Sequence, residues 1–251
     1  MVREARPPRL AVLIDADNAS ARIVDGLFEE IAKLGEASVR RIYGDFSSPR
    51  SKAWAEVFSK FAIIPQHQPA YTTGKNASDI TLVIDAMDLL HSGRLDGFCL
   101  VSSDSDFTRL AARIREEGVD VYGFGEQKTP ESFRQACRRF IYTENLVPHA
   151  AATDGGSKPK ALEPLSHAGG IVSRIIEEME SDGGWVSLGQ VGTQLANLAS
   201  DFDPRTYGFR KLSDLVRKLE DLELKDDGVH LRVRIKPAKP VPAGRRGAKK
   251  G

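Results

Sequence analysis

The sequence predicts an α/β domain built on a mostly parallel sheet, followed by a small winged-helix domain. Three observations predict it. From Leu10 to about Val147, short apolar runs alternate with segments of helical periodicity, the pattern of a parallel sheet with right-handed crossovers. From Ala150 to Pro164 the composition turns to Ala-Ala-Thr-Asp-Gly-Gly-Ser-Lys-Pro-Lys, which is linker chemistry. Beyond it, three helical stripes precede a hairpin signal at Asp226-Asp227-Gly228.

The elements follow in order. Leu10–Ile14 reads as a buried strand, and Asn18 or Ser20 can cap the helix after it. That helix carries Ile23, Leu27, Ile31 and Leu34 on one stripe and closes at Gly35. Ala37–Tyr43 is a second strand. Pro49–Phe61 is helical, with Trp54, Val57, Phe58 and Phe61 on one side, and Ala62–Pro65 is short and extended. Gln66–Asn76 is a polar loop. Asp79–Leu90 is an apolar helix and Phe98–Val101 the next strand. Phe107, Leu110, Ala111 and Ile114 then form a helix face that ends at Gly118. Val119–Phe124 reads as a strand, and Glu131–Phe140 as one helix.

In the second part, Ile171, Ile175, Ile176 and Met179 mark one helix. Ser187 caps another, running through Val191 and Leu195 to Leu198. Asp203-Pro204 opens a third, bearing Leu212, Leu215, Val216 and Leu219. Leu222–Lys225 and Val229–Ile235 flank the turn. The expected boundaries are 8–148 for the first domain, 149–165 for a flexible linker, 166–236 for the second domain, and 237–251 for a disordered basic tail.

Composition bounds the function. The chain has 251 residues, 41% of them hydrophobic, and a formal charge of +1. The tail from Lys236 carries six cations and no acid, which suits solubility or contact with phosphates. Cys99 and Cys137, the only cysteines, sit in apolar patterns as small hydrophobes, and no spacing suggests zinc. No secretory h-region opens the chain and no apolar run is long enough to span a bilayer. The expected location is cytoplasmic, with no membrane partner.

The chemistry lies in acids. Asp15 follows the first strand, Asp104 follows the Phe98–Val101 strand, and Asp79 opens the intervening helix. In an α/β sheet such strand ends gather at one edge. Carboxylates assembled there repel one another unless a hard cation, Mg²⁺ or Mn²⁺, lies between them. The plain alternative is that Asp79, Asp104 and Asp106 simply cap helices, where Asp is favoured. For Asp106 the two readings weigh equally. Asp17 reads as exposed, Asp88 as solvated, and Asp85 is left open.

The runs Leu-Ile-Asp15-Ala-Asp17-Asn18, Gly74-Lys-Asn-Ala-Ser-Asp79 and Val101-Ser-Ser-Asp104-Ser-Asp106-Phe resemble the NYN domain, LabA-like branch, a relative of PIN-domain nucleases. The resemblance continues through Gly123-Phe-Gly and Ala136-Cys-Arg-Arg-Phe-Ile-Tyr142. It implies a Rossmann-like fold and a metal-dependent ribonuclease site at Asp15, Asp79, Asp104 and Asp106, with Asp15, Asp79 and Asp104 as metal ligands and Asn18, Ser102 and Ser103 beside them. Trp185-Val-Ser-Leu-Gly189 and Asp201 to Val216, with its Tyr207-Gly208-Phe209 turn, are similar to the OST-HTH or LOTUS domain, whose members bind RNA or protein partners.

Candidate RNA contacts are Lys75, Arg205, Tyr207, Arg210 and Lys211, with Arg217, Lys218, Arg232 and Arg234 widening the basic surface. Arg50, Lys52, Arg109, Arg113 and Arg115 are further candidates. Trp185 and Phe209 read as core residues rather than stacking platforms. The expected function is a Mg²⁺- or Mn²⁺-dependent endoribonuclease with a winged-helix RNA-binding module. Alternatives weighed are a catalytically weak RNA adaptor, a haloacid-dehalogenase-like phosphatase using Asp15, and a DNA-binding regulator. A homo-oligomer is compatible with all of them.

Overall fold

Five consecutive side chains, Leu10–Ile14, are fully excluded from solvent, which is why this run is continuously apolar instead of alternating. The computed structural model describes residues 6–47, 52–67, 77–147, 162–179, 183–228 and 230–237. The expectations placed on Lys75, Arg50, most of the Gln66–Asn76 loop, most of the linker and the basic tail lie outside these residues.

The run forms β1 (Arg9–Asp15). It is followed by α1 (Val24–Ile31), β2 (Glu36–Gly44), α2 (Lys52–Phe61), β3 (Ile64–His67) and α3 (Ala77–His91). Next come β4 (Gly97–Val101), α4 (Thr108–Glu116), β5 (Asp120–Gly125), α5 (Glu131–Ala136) and β6 (Arg139–Tyr142). The six strands pair in parallel in the order β3-β2-β1-β4-β5-β6. Leu10, Val12 and Ile14 pack with α1 and Trp54 on one face. Ala11 and Leu13 pack with Leu82, Ala86, Phe107 and Leu110 on the other. Strand order reverses between β1 and β4, the place where α/β sheets open a crevice at their carboxyl ends.

One expected element is corrected. Glu131–Phe140 is not a single helix: α5 stops at Ala136, and Arg139–Tyr142 adds a sixth strand. Gly123 of β5 explains the close fit, since a Cβ there would lie 2.6 Å from the Phe140 ring and 2.7 Å from Cys137 Sγ. Cys99 and Cys137 are both free and buried, as expected.

The second unit comprises α6 (Leu165–Glu178), β7 (Val186–Ser187), α7 (Leu188–Leu198), α8 (Leu212–Lys218), β8 (Leu222–Asp226) and β9 (Leu231–Ile235), with the strands in the antiparallel order β7-β9-β8. Its core holds Val172, Ile175, Val191, Leu195, Val216 and Val233. The expected third helix is also corrected. Asp203 caps a 3₁₀ turn, Pro204–Tyr207, which Gly208 ends at φ +88°, and α8 begins only at Leu212. Arg205 and Arg210 therefore lie off α8.

The two units meet along β6. The edge strand's Phe140 N–H donates to the Ser200 carbonyl at 2.7 Å, occupying a group that an open edge would leave unpaired. Arg205 binds Asp203 through Nη2 at 2.6 Å and reaches Glu30 of α1 through Nη1 at 2.9 Å. Arg134 pairs with Asp201, which also accepts from the Tyr142 hydroxyl at 2.7 Å. Glu30 is 3% exposed. Burial pushes its carboxyl up, but the Lys33 hydrogen bond and the Arg205 charge outweigh this and hold it below the usual range.

Candidate active site

The carboxyl ends of β1 and β4 lie side by side, with Ile14 opposite Val101. Asp15 ends β1 and is 1% exposed. Its Oδ2 accepts from Ser102 Oγ at 2.7 Å and from Asn18 Nδ2 at 2.9 Å, while Oδ1 accepts from the backbone of Asp17 at 3.0 Å. The Ser102 hydroxyl accepts in turn from the Asp104 N–H at 3.0 Å. Asp15 and Asp104 are thus tied through one serine. Burial raises the Asp15 carboxyl, partly offset by the bonds from Ser102 and Asn18.

Asp104 Oδ1 accepts from the Asp106 N–H at 2.8 Å, so Asp104 also caps the 3₁₀ turn before α4. The capping reading of Asp104 therefore holds alongside its place at the site. Ser103 Oγ accepts from Glu126 N–H at 2.9 Å and fixes the β5 end instead of facing the acids. Asp106 is exposed at the rim.

Asp79 stands in the first turn of α3. Burial, then the charges of Asp15, Asp104, Asp17 and Asp106, push its carboxyl up to about 6. The helix start is tied to the β1 end by Ser78 Oγ donating to Asp17 Oδ2 at 3.3 Å. A second tie escaped the sequence reading: Asp85 accepts from Tyr43 Oη at 2.6 Å and pairs with Arg41 at 2.7 Å. Burial and Asp85 raise the Tyr43 phenol, keeping it a donor. An acid two turns into an apolar helix was the available signal.

These acids fit a hard divalent cation by type and by charge: burial, and then their like charges, raise the Asp79 carboxyl. They do not form a closed cage: among the described residues, no three His, Cys, Asp or Glu side chains are grouped to hold an ion by themselves. Direct joint ligation by Asp15, Asp79 and Asp104 is therefore not what these positions display. Mg²⁺ commonly binds through one or two carboxylates and keeps several waters, a mode that the donor set permits.

Two expected RNA contacts are corrected. Arg205 is spent on Glu30 and Asp203. Tyr207 is 6% exposed, packed near Phe202 and Ala168, and has no free ring face for a base. Arg210 and Lys211 are exposed. Arg113 pairs with Glu116 and Glu117, while Arg109 is exposed at the start of α4.

Residues 9–145 match the NYN domain model, more than half of the chain. The chain belongs to the NYN-domain family. The NYN domain is of the PIN-like nuclease superfamily, and residues 165–231 match the OST-HTH/LOTUS domain, an RNA-binding module. No curated protein matches the chain. Among solved structures, a protein of unknown function from Vibrio parahaemolyticus is 18% identical, with a TM-score of 0.47, over 56% of this chain and 96% of its own. An uncharacterized protein from Nitrosomonas europaea is 30% identical, with a TM-score of 0.27, over 34% of this chain and 85% of its own. No helix among the described residues is long and apolar enough to cross a membrane.

The NYN site depends on Gly125 at the end of β5. A Cβ there would lie 2.6 Å from the Ser102 carbonyl and 2.7 Å from Thr129 Oγ1. Gly125→Ala is expected to lose about 1–3 kcal/mol, the usual range for overpacking, and to displace the serine that joins Asp15 to Asp104. Thermal denaturation and RNA cleavage, measured on the same preparation, check both effects.

Proposed function

We propose that the NYN domain hydrolyses RNA phosphodiesters with Mg²⁺ or Mn²⁺, and that the OST-HTH domain supplies binding surface for the strand. The observation that carries this reading is the gathering of acids at the β1–β4 switch point, where Ser102 joins Asp15 to Asp104 and Ser78 ties the Asp79 end of α3 to Asp17. Clustered like charges of this kind mark sites built for function over stability.

Asp79 would hold the ion, with Asp15 or Asp104 reaching it directly or through water. When bound, it would neutralise phosphate charge and acidify water. The chain's own groups do the rest. Ser102 and Asn18 fix the Asp15 carboxylate, leaving it no rotamer freedom. Ser78 and the Tyr43–Asp85–Arg41 group hold α3 so that Asp79 keeps its place. Asp106, at the rim, accepts the proton of the attacking water. The water oxygen bonds to phosphorus as the bond to the 3′ oxygen breaks, and the departing oxygen takes up a proton from solvent water, leaving a 5′-phosphate and a 3′-hydroxyl. Arg109 at the start of α4, with Arg210 and Lys211 on the OST-HTH domain, are exposed cations that would meet the backbone.

Labelled single-stranded RNA incubated with the protein and Mn²⁺ tests the reading, beside Asp104→Asn. Cleavage by the wild type and its loss in the variant are expected. Equal inactivity of both proteins would replace the enzyme with an RNA-binding adaptor.

A further inference from the structure

The three-stranded sheet of the OST-HTH domain has one face in the core and one toward solvent. Val186, Leu222 and Val233 are buried, with Leu224, Leu231 and Ile235 packed against them. Side chains alternate along strands, so Ser187, Glu223, Lys225, Arg232 and Arg234 fall on the outer face. The register sets Arg232 between Ser187 and Lys225, and Arg234 beside Glu223.

Trp185, immediately before β7, joins this outer face. It belongs to no hydrophobic cluster among the described residues and is partly exposed, which corrects its expected core role. The Arg234 guanidinium lies 4.4 Å from the indole centroid and the Lys225 ammonium 5.9 Å. Arg234 also pairs with Glu223 at 2.7 Å and Arg232 with Asp227 at 3.2 Å. Lys225 has no carboxylate partner among the described residues. Three cations thus face two carboxylates around one indole, and the patch is net positive.

An indole beside a guanidinium on an open sheet face offers flat π surface flanked by positive charge. Unpaired bases stack on aromatic rings and on Arg planes, while nearby cations track the backbone. We propose that this face binds single-stranded RNA, with an unpaired base stacked on the Trp185–Arg234 pair and neighbouring phosphates at Lys225 and Arg232. The site lies apart from the acid cluster, and only the choice of RNA as ligand rests on the ribonuclease reading.

Binding is measured on the full chain in EDTA, where cleavage does not intervene. Tryptophan fluorescence is titrated with a short oligouridylate and with an abasic ribose-phosphate oligomer of equal length. The other indole, Trp54, is 4% exposed in the NYN core, so a quench reports Trp185. The oligouridylate quenches and the abasic oligomer does not. Read by the anisotropy of a dye-labelled oligouridylate, since these variants lack the reporting indole, Trp185→Leu weakens affinity about 5- to 150-fold, the range for one lost stacking contact, while Trp185→Phe retains most of it. Lys225→Glu weakens binding and flattens its salt dependence. Absence of quenching, equal quenching by the abasic oligomer, or unchanged affinity in Trp185→Leu and Lys225→Glu overturns the proposal. A platform that quenches only with peptide ligands does so as well. Cleavage that persists in Mn²⁺ despite these failures leaves the ribonuclease reading standing, so the two are separable.

Discussion

Asp79→Asn is expected to make the protein more stable and less active at once. At pH 7.5 the wild-type carboxylate is ionised against the charges of Asp15, Asp104, Asp17 and Asp106. The neutral amide removes that repulsion. Allowing for solvent screening of a partly exposed group, a rise of about 2–4 °C in Tm is expected, equivalent to roughly 1 kcal/mol in a chain of this size. Cleavage should fall by more than the about 10- to 100-fold that loss of an outer-shell partner costs a metal site. A residue serving only as a helix cap would show the opposite sign in stability.

The same carboxyl gives a pH dependence with a defined direction. Its folded-state value, about 6, lies above that of an ordinary aspartate. A group raised in this way favours the folded state below its unfolded value, and that contribution is lost as pH rises through about 6. Without cation, stability should therefore decline from about pH 4 to about pH 6. Activity should rise over the upper part of that window, because only the ionised carboxylate holds a cation. Mn²⁺ should restore the lost stability above pH 6 and do little at pH 4.5, through preferential binding to the folded state. Melting curves with and without Mn²⁺ across this range check both limbs.

Much of this site was legible because its strands are buried. Leu10–Ile14 and Phe98–Val101 are apolar throughout, so Asp15 and Asp104 stand out as the first charged residues after them. Asp79 was legible from its place at the head of an apolar helix. The strand β6 was not. Phe133, Cys137 and Phe140 recur at helical spacing, and four residues are too few to display a period of two. Long-range partners were also hidden. Arg205 reads as a surface cation in sequence, yet its acceptor Glu30 is 175 positions away. Trp185 was misread because its neighbours Arg234 and Lys225 lie on other strands, and only their register reveals the shared outer face.

Arg205→Ala is expected to have the largest effect on stability. It would strand Glu30 and Asp203, whose side chains are 4% and 6% exposed. Removing one partner from a buried ion pair costs about 3–5 kcal/mol. Lys33 and Arg139 still face Glu30, which places the loss near the lower end, about 3 kcal/mol, or roughly 6–12 °C in Tm. In a cycle with Glu30→Gln the two losses should not add, since each disrupts the same contact. Additive losses would show that Arg205 acts through Asp203 alone. Glu30 carries the opposite pH sign to Asp79. Its carboxyl is held low, so its contribution is present above the unfolded value and is lost as pH falls through the folded one.

This junction bears on how the OST-HTH domain works. It is docked on β6 through the Ser200 carbonyl, Asp201 and Arg205, so its outer sheet face is held at a set position relative to the acids. Weakening the dock with Arg205→Ala should therefore leave oligouridylate binding at Trp185 intact while reducing the efficiency of cleavage.

A crystal soaked in Mn²⁺ and measured at a wavelength where manganese scatters anomalously tests the account most directly. One strong anomalous peak beside the Asp79 carboxylate, within reach of Asp15 or Asp104 directly or through water, is the predicted result. Full-occupancy manganese elsewhere on the molecule, with the β1–β4 edge empty at a pH well above 6, would contradict it.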